Sequence, residues 1–294
     1  LALGVAADLI ALGMPSCAAS LWQLGQRGTA LLGWSLWLVT FVFAVTAGLG
    51  TFYGHAMTAP PAHFGPDAFQ DMSHKYAPMA VALNLDGRRF ADESDGTGEE
   101  TLNIAIAHER EATAAYVFDA ATAERPYDAG PLARVVVERA ERVGGPVVHA
   151  ATLEELADAM RPWGLPAGQV LRTLQEFNAA MRAEHDVSLQ PPRRAQRHAV
   201  AQPPFTAALV RAGITFTCGG LAVDLDMRVL RRAASVAMLP LVTAPAEDLQ
   251  VQPIPRLYAA GCDVGGVSGS SYMGGLAQAL VTGRVAGMHA ATQN

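Results

Sequence analysis

The sequence predicts an α/β protein that carries a smaller α+β domain, and two observations lead to this prediction. First, the chain from Arg256 to Asn294 runs from an apolar strand through a glycine-rich loop into an alanine-rich helix, an order typical of α/β folds. Second, the region from 85 to 195 mixes short strand patterns with helical ones. It ends in the proline-rich segment 190–194, which is predicted to be the linker that leaves the smaller domain.

The C-terminal strand, loop and helix predict a ligand site at the start of the helix. The strand is expected at Leu257–Ala260 and the helix from Leu276 to about Ala291. A helix N-terminus exposes unpaired N–H groups and carries about half a positive charge, so it suits an anion or an oxygen that becomes negative during a reaction. Gly274 and Gly275 have no Cβ, so a flat ring or a phosphate can approach closely. A generic strand-to-helix turn is the alternative.

Composition and charge argue against several classes of protein. The 294 residues are 51% hydrophobic and 16% charged, which is typical of a globular chain. The net charge of −6 gives no reason to expect a nucleic-acid partner. Cys17, Cys218 and Cys262 are too few and too scattered for a disulfide framework or a zinc site, so no metal site is predicted. The chain begins with Leu1 rather than Met, which predicts a fragment or a processed product.

The N-terminal segment 1–50 is strongly apolar. No Asp, Glu, Lys or Arg occurs between Gly28 and Pro66, and the run 30–50 has about the 20 residues that a bilayer span needs. A membrane span and a buried hydrophobic segment both fit this pattern. A secretory signal does not, because the run is too long and starts too late. We expect a cytoplasmic protein, with membrane association through 30–50 as the alternative.

Local patterns predict several elements of the smaller domain. Asp86-Gly87 is a strong two-residue turn, and Thr152–Glu155 is a capping box at the start of a helix. Arg88 and Arg89 are expected to make surface or hinge contacts. An apolar stripe at helical spacing is expected to be core, with Asn178 beside it in a structural role. Its residues are Val170, Leu171, Leu174, Phe177 and Met181.

Ordered motifs along the chain resemble one flavoprotein family. They are Leu257-Tyr258-Ala259-Ala260-Gly261, Gly265-Gly266, Gly274-Gly275 and Gly283-Arg284-Val285-Ala286-Gly287. This C-terminal part is similar to the flavin-binding segment of the family that contains fumarate reductase and succinate dehydrogenase flavoproteins, tricarballylate dehydrogenase and 3-ketosteroid dehydrogenases. The turn 85–93 resembles a signature of the same family, and Phe52-Tyr53-Gly54-His55 resembles its tricarballylate-dehydrogenase-like members.

The resemblance implies an FAD-dependent oxidoreductase that transfers hydride between the flavin and a small organic substrate, with an unidentified electron donor or acceptor. It implies an α/β flavin-binding domain formed by 51–84 and 199–294, with an α+β capping domain formed by 85–198. No Gly-x-Gly-x-x-Gly motif occurs before residue 60, so the flavin-binding domain is predicted to be partial and to bind FAD weakly alone. The alternative is a truncated, non-catalytic, membrane-associated remnant of such a flavoprotein.

The resemblance also implies which residues bind the cofactor. The candidates are Gly219, Gly220, Gly261, Asp263, Gly274, Gly275 and Leu276. The segment Gly213–Asp224 is expected to pass the flavin and the substrate. Asp263 is one position away from a family glutamate that binds ribityl or ribose hydroxyls, so a solvated loop acid is the alternative for this residue.

Tyr272 and His55 are the candidate catalytic residues. A phenol beside the flavin could donate a hydrogen bond to a carbonyl or pass a proton, and packing of the ring on the loop is the alternative for Tyr272. His55 could line the substrate side, and a structural histidine is the alternative there.

The chain departs from the fumarate-reductase pattern where that pattern grips two carboxylates. Thr215-Phe216 replaces the expected histidines, and Tyr272 replaces an expected arginine. A dicarboxylate clamp needs bidentate guanidinium donors, so fumarate and succinate are not expected as substrates. A serine hydrolase is not expected either, because the segment 266–270 lacks the last glycine of Gly-x-Ser-x-Gly.

Overall fold

A computed structural model gives the fold as two compact units. The larger unit is Tyr53–Thr215, and the smaller unit combines Leu1–Phe52 with Phe216–Asn294. The residues that the structure describes are 22, 25–31, 34–35, 52–95, 101–127, 130–183, 189–231, 252–267 and 274–293.

An antiparallel sheet of five strands forms the centre of the larger unit. After the short strand β1 (Phe52–Tyr53), the strands of this sheet are β2 (Ala56–Thr58), β3 (Val81–Leu83), β4 (Thr113–Asp119), β5 (Val147–Ala150) and β6 (Phe205–Ala212). The order is β2-β6-β4-β3. Strand β5 also pairs with β6, opposite residues 205–208, whereas β2 lies opposite residues 210–212. Strand β6 therefore pairs with β4 on one side and with β2 and β5 on the other, and β3 is the edge strand beyond β4.

Helices cover both faces of this sheet. They are α1 (Thr101–His108), α2 (Ala120–Ala123), α3 (Ala133–Arg142), α4 (Leu153–Ala159) and α5 (Ala167–Arg182). Strand β4 is buried along its whole length, and its side chains alternate between two cores. Tyr116 packs in a cluster with residues of α1 and α3, whereas Val117 packs in a cluster with residues of α4 and α5. The predicted mixture of strands and helices is confirmed.

Two local predictions about helices are also confirmed. The Thr152 hydroxyl accepts a hydrogen bond from the Glu155 amide at 3.1 Å, and the Glu155 carboxylate accepts one from the Thr152 amide at 3.2 Å. These two bonds are the predicted capping box of α4. The predicted apolar stripe lies on the inner face of α5, where Val170, Leu174 and Phe177 are buried.

The Asp86-Gly87 turn is present, but it does not join two long strands. The Asn84 amide donates to the Arg88 carbonyl at 2.9 Å across the turn, and Gly87 has φ of 73°. Strand β3 then pairs with β4, which is distant in sequence, rather than with the residues that follow the turn.

Arg88 is exposed, as predicted surface contacts require, whereas burial of Arg89 contradicts surface contacts for this residue, and a hinge contact stays a prediction. Arg89 is buried, and its Nε donates to the buried Glu93 carboxylate at 2.8 Å. Arg193 donates to the same carboxylate at 3.0 Å. A buried carboxylate needs such partners because it has lost its water, and the two arginines supply them. The segment 190–194 is therefore anchored to the larger unit through the buried Arg193 and is not a free linker.

The larger unit extends beyond the predicted capping domain 85–198. It also includes 53–84 and 199–215, because β2, β3 and β6 lie in the same sheet as β4. A capping role for 85–198 stays a prediction.

The smaller unit contains short strands and one long helix. Strand β7 (Phe216–Thr217) pairs with β1, and β8 (Arg228–Leu230) is antiparallel to β9 (Pro253–Tyr258). The helix α6 (Gly275–Thr292) confirms the predicted C-terminal helix. The smaller unit has a small core cluster, which consists of Leu221, Val229, Ala259 and Val264.

The predicted membrane span at 30–50 lies almost entirely outside the described residues. Within the part of the chain that the structure describes, every helix is too short or too polar to cross a bilayer.

Candidate functional site

The start of α6 has the features of an anion-binding helix end. Gly274 precedes the helix with φ of 75° and ψ of 110°, and no side chain caps it. The first turn contains no acidic residue. Among the described residues, the first bond of the helix runs from the Gln278 amide to the Gly274 carbonyl at 3.1 Å, so the amides of residues 275–277 come before it. These amides and the helix dipole favour a negative or electron-rich group.

No described residue fills the space beside this helix start. A Cβ built on Gly275 would meet no heavy atom within 4 Å among the described residues. Leu276, the next residue, is 89% exposed, so its side chain does not close the helix start against the rest of the unit. A flat group could therefore approach the backbone of α6 at this point.

A second feature of the smaller unit is a close crossing of two segments at Gly220 and Gly265. A Cβ at Gly220 would lie 2.6 Å from the carbonyl oxygen of Asp263 and from the amide nitrogen of Gly265. The Leu221 amide donates to the Asp263 carbonyl at 2.7 Å, and the Gly265 amide donates back to the Leu221 carbonyl at 3.1 Å. The predicted residue Gly220 thus lies directly against the loop that contains Gly261 and Asp263, and Gly219, the residue before it, is exposed.

Gln278 and Thr282 connect this loop to α6, and the sequence analysis missed both. The Gln278 side chain donates to the carbonyls of Gly261 and Val264, at 2.9 Å and 3.2 Å. The Thr282 hydroxyl accepts from the Gly261 amide at 2.8 Å and donates to the Gln278 carbonyl at 2.6 Å. The two residues are four apart and share one face of α6. That spacing of polar residues in an otherwise apolar helix was the signal that could have identified them.

The other predicted residues of this unit are Asp263 and Tyr272. The Asp263 side chain is exposed, and its backbone carbonyl is the group that contacts Leu221. Tyr272 lies in the segment 268–273, outside the described residues. The outward side of α6 carries exposed apolar side chains at Leu276, Leu280, Val281 and Met288.

His55 lies in the larger unit and is almost completely buried, at 3% exposure. Its Nε2 is 3.3 Å from the Tyr53 hydroxyl, and its ring is 5.5 Å from that of Phe69. This distance between the hydroxyl and the imidazole is longer than that of a strong hydrogen bond, so a proton could pass between them only if the two groups came closer.

The segment Gly213–Thr215 runs against the segment that contains His55. The Gly213 amide donates to the His55 carbonyl at 3.0 Å, and the Thr215 amide donates to the Tyr53 carbonyl at 2.9 Å. A Cβ on Gly54 would overlap the carbonyl oxygen of Gly213, so glycine is required at position 54 for this approach. The structure therefore brings together His55 and the first part of the predicted segment Gly213–Asp224.

Asn103 also contacts this crossing, and no sequence motif pointed to it. It lies in the first turn of α1, is fully buried, and donates through Nδ2 to the Gly213 carbonyl at 2.9 Å. Gly213 comes 110 residues later in the sequence, so no local pattern could have linked the two.

A buried polar cluster lies elsewhere in the larger unit. Both ring nitrogens of His74 are hydrogen-bonded. Nε2 lies 2.9 Å from the Thr58 hydroxyl, and Nδ1 lies 2.9 Å from the Tyr76 hydroxyl. Complete burial lowers the pKa of His74 to about 3, and burial raises the pKa of Tyr116 beside it. These groups are neutral at pH 7, which suits a structural network rather than a proton carrier.

No group of three or more His, Cys, Asp or Glu side chains could hold a metal ion in the described ranges of the chain.

The family is decided by a comparison with protein-family models. The model described as FAD binding domain matches residues 43–277 of this chain. The chain belongs to the FAD binding domain family.

Named relatives of this FAD binding domain are flavoprotein reductases and dehydrogenases. A probable fumarate reductase of Shewanella frigidimarina is 28% identical over 219 residues, which cover 72% of this chain and 31% of the relative. A urocanate reductase of Eggerthella lenta is 24% identical, with 72% and 31% covered. A 3-oxosteroid 1-dehydrogenase of Mycobacterium tuberculosis is 26% identical, with 76% and 40% covered. The predicted resemblance to this family is confirmed, and the chain spans about a third of the length of the first two of these relatives.

A solved structure agrees with the fold of this FAD binding domain. The 3-ketosteroid Δ1-dehydrogenase of Sterolibacterium denitrificans superimposes with a TM-score of 0.55 at 22% identity, over 83% of this chain and 43% of that one. The fold is thus that of the flavoproteins, with mixed helices and strands.

The residues present fit one end of FAD, the cofactor that the family implies. The uncapped start of α6, the open side of Gly275 and the close crossing at Gly220 suit the electron-rich edge of a flat ring. The backbone of Gly274, Gly275 and Leu276 would hold that edge, with the loop at Gly261 fixed by Gln278 beside it.

Proposed function

We propose that this chain is part of an FAD-dependent oxidoreductase of the fumarate reductase-like flavoproteins, acting on a carbon–carbon bond next to a carbonyl or carboxyl group. The observation that carries the proposal is the uncapped, open start of α6 in a chain of the FAD binding domain family. The named relatives act on fumarate, urocanate and 3-oxosteroids, and these substrates share such a bond. Bound flavin would supply the hydride acceptor or donor.

The reaction balances with one external redox partner. Saturation of a carbon–carbon double bond takes up two electrons and two protons, as a hydride on one carbon and a proton on the other. A low-potential electron donor must supply the two electrons in that direction, and an electron acceptor must remove them in the reverse direction. The protein supplies orientation and the proton.

The protein groups proposed to move that proton are Tyr272 and His55. A tyrosine hydroxyl next to the substrate carbonyl can donate a hydrogen bond or a proton, and a histidine can do the same when its ring nitrogen is accessible to the substrate. The contact between His55 and Tyr53 supports this role, because the phenol would hold the imidazole in one orientation.

We also propose that the substrate is not a dicarboxylate, and that the nearest members of the family are the tricarballylate-dehydrogenase-like ones. Two arginines of the larger unit, Arg89 and Arg193, are fixed on Glu93 and cannot serve a substrate. Thr215 replaces a histidine of the fumarate-reductase pattern, and it offers a neutral hydroxyl.

The proposal is tested by purifying the chain and recording its absorbance between 350 and 500 nm, the range of an oxidised flavin, before and after incubation with FAD. We expect the chain to take up added FAD, and to bind it weakly because the flavin-binding domain is predicted to be partial. Oxidation of a reduced viologen dye is then followed with urocanate, fumarate and 4-androstene-3,17-dione, and fumarate is expected to be the poorest of the three. The change Tyr272→Phe is expected to slow turnover without loss of flavin.

A colourless chain that takes up no FAD would contradict the proposal and favour the truncated, non-catalytic remnant. The apolar run 30–50 is the feature that favours that second candidate, because it predicts association with membranes without any chemistry. Sedimentation of the chain with lipid vesicles would then be expected, whereas an active flavoprotein needs no vesicles for turnover.

A further inference from the structure

Two buried asparagines of the larger unit differ in how their amide groups are satisfied. Asn178 exchanges two hydrogen bonds with Val200, from Nδ2 to the carbonyl and from the Val200 amide to Oδ1, both at 2.7 Å. Asn103 donates from Nδ2 to the Gly213 carbonyl at 2.9 Å, but its buried Oδ1 has no hydrogen-bond partner among the described residues. The orientation of this amide is fixed by chemistry, because a carbonyl oxygen can face only the donor side.

The unpaired Oδ1 makes Asn103 a costly choice for the stability of the fold. A buried acceptor without a partner costs about 1–3 kcal/mol, and an apolar side chain of similar size would avoid this cost. A buried group of this kind calls for an explanation other than folding stability. One explanation lies in what Asn103 holds, which is the Gly213 carbonyl.

Gly213 is the point at which the segment Gly213–Thr215 is held from two sides. Its amide is bound to the His55 carbonyl, and its carbonyl is bound to Asn103. A Cβ on Gly213 would lie 2.7 Å from Cγ of Met57, so no side chain can steady the residue. The hydrogen bond from Asn103 is therefore what sets the direction of the peptide that leads to Ile214.

Beyond this fixed peptide, the chain presents two uncharged side chains. Ile214 is 50% exposed, and Thr215 is exposed as well. Thr215 is bound through its own amide to the Tyr53 carbonyl, so both ends of the short segment are anchored while the side chains between them are free to meet a ligand. An apolar side chain next to a hydroxyl suits an uncharged part of a substrate.

We propose that Asn103 is a positioning residue, which holds the Gly213 carbonyl so that Ile214 and Thr215 form a rigid edge for an uncharged part of the substrate. This inference rests on the proposed function, in which the segment Gly213–Asp224 contacts the substrate. Asn103 acts through Gly213 and touches no reacting atom.

The test compares Asn103→Leu with the matched control Asn178→Leu. Asn103→Leu removes the unpaired acceptor but leaves the half-buried Gly213 carbonyl without its donor, so the two effects oppose each other and the melting temperature is expected to change little. Asn178→Leu leaves two buried Val200 groups unpaired and is expected to lower it clearly. With 4-androstene-3,17-dione as the probe, Asn103→Leu is expected to raise KM by about tenfold or more at unchanged flavin content, whereas Asn178→Leu leaves KM unchanged.

A second variant, Asn103→Asp, separates the hydrogen bond from the shape of the side chain. A protonated aspartic acid can donate to the Gly213 carbonyl, whereas the ionised form cannot and repels it. The KM of this variant is expected to approach the wild-type value at low pH and the Asn103→Leu value at high pH. A KM that stays at the Asn103→Leu value at every pH would contradict the inference.

Hydrogen–deuterium exchange keeps this inference separate from the proposed function. The Gly213 and Thr215 amides are expected to exchange faster in Asn103→Leu than in the wild type, by about tenfold or more, with β4 unchanged. If the wild type shows no flavin and no turnover, the proposed function fails, and the exchange rates alone decide the role of Asn103. The positioning role of Asn103 would be overturned by unchanged exchange at both amides in Asn103→Leu, or by a wild-type KM of that variant.

Discussion

In the described part of each unit, two glycines bring distant segments into backbone contact, and the two places differ in what supports them. Gly54 and Gly213 meet beside the buried five-stranded sheet, with Asn103 and His55 attached to the same residues. Gly220 and Gly265 meet in a unit with a small core, where α6 holds the loop through the side chain of Gln278. The first crossing is part of the main fold, whereas the second mainly places an exposed helix start.

The comparison of the two crossings shows that a close approach of two glycines can serve two purposes. A glycine pair within a well-packed sheet unit fixes the fold and any side chain attached to it. A glycine pair beside an uncapped helix fixes a binding surface that packing alone would leave loose. Variants of the four glycines should therefore separate stability from cofactor binding.

The largest effect is expected for Gly54→Ala. The new Cβ would overlap the backbone carbonyl of Gly213, and backbone cannot move aside as a flexible side chain can. We expect a loss of about 3 kcal/mol or more in the free energy of unfolding, measured by urea titration. The control is Gly168→Ala in α5, where a Cβ has room and alanine favours the helix, so stability should stay equal or rise. Equal stability of Gly54→Ala and wild type would remove the distinction between the two crossings.

Gly275→Val tests the other side of the comparison. A branched side chain at the first position of α6 would fill the space beside the open amides, so we expect loss of bound flavin with little change in the folding of the larger unit. The control Gly287→Val lies later in the same helix, where a Cβ also meets open space, and it should retain flavin. The measurement is the flavin-to-protein absorbance ratio after gel filtration. Full retention in Gly275→Val would remove the helix start from the cofactor site.

Acid should weaken the larger unit through His74. Its pKa is about 3 in the folded protein and about 6.5 in the unfolded chain, so the unfolded chain binds one more proton between these values. The free energy of unfolding should therefore fall by about 1.4 kcal/mol for each pH unit below 6.5 on account of this group. His74→Gln should show a smaller slope, measured as urea midpoints between pH 4 and 7. His149→Gln, which alters a half-exposed histidine, should keep the wild-type slope.

The smallest effect is expected for Arg256→Gly in the smaller unit. Arg256 lies in β9 with φ of 61°, a left-handed conformation that costs a non-glycine residue about 1–2 kcal/mol. Glycine should recover part of this cost, so we expect a gain of up to about 1 kcal/mol, measured by thermal unfolding. Arg256→Ala keeps the strain and should give no gain. A gain of equal size in both variants would point to the arginine side chain rather than to the backbone.

The features that were predictable from sequence are those that depend on neighbouring residues. The capping box at Thr152 and the helix from Gly275 follow from short-range spacing, and both are present. The role of Arg89 was not predictable in this way, because its partner Glu93 is shared with Arg193, 100 residues later. Asn103 was missed for the same reason. Contacts between distant segments decide which polar side chains are buried, and a single sequence does not record them.

In the candidate site too, local motifs were predictable from sequence and contacts between distant segments were not. Gly274 and Gly275 were identified from a local motif, whereas Gln278 and Thr282 became visible only through their bonds to the loop at Gly261. His55 was identified as a candidate, but its attachment to Gly213 depends on a crossing that no periodicity reveals. Tyr272 stays a prediction.

The outward side of α6 has a practical consequence for work on the isolated chain. Leu276 and Leu280 are 89% and 72% exposed, and Val281 and Met288 are each 61% exposed. Exposed apolar surface of this kind drives molecules to stick to one another in water. Concentrated samples should scatter light, and a mild non-ionic detergent or the double change Leu276→Gln, Leu280→Gln should clear them.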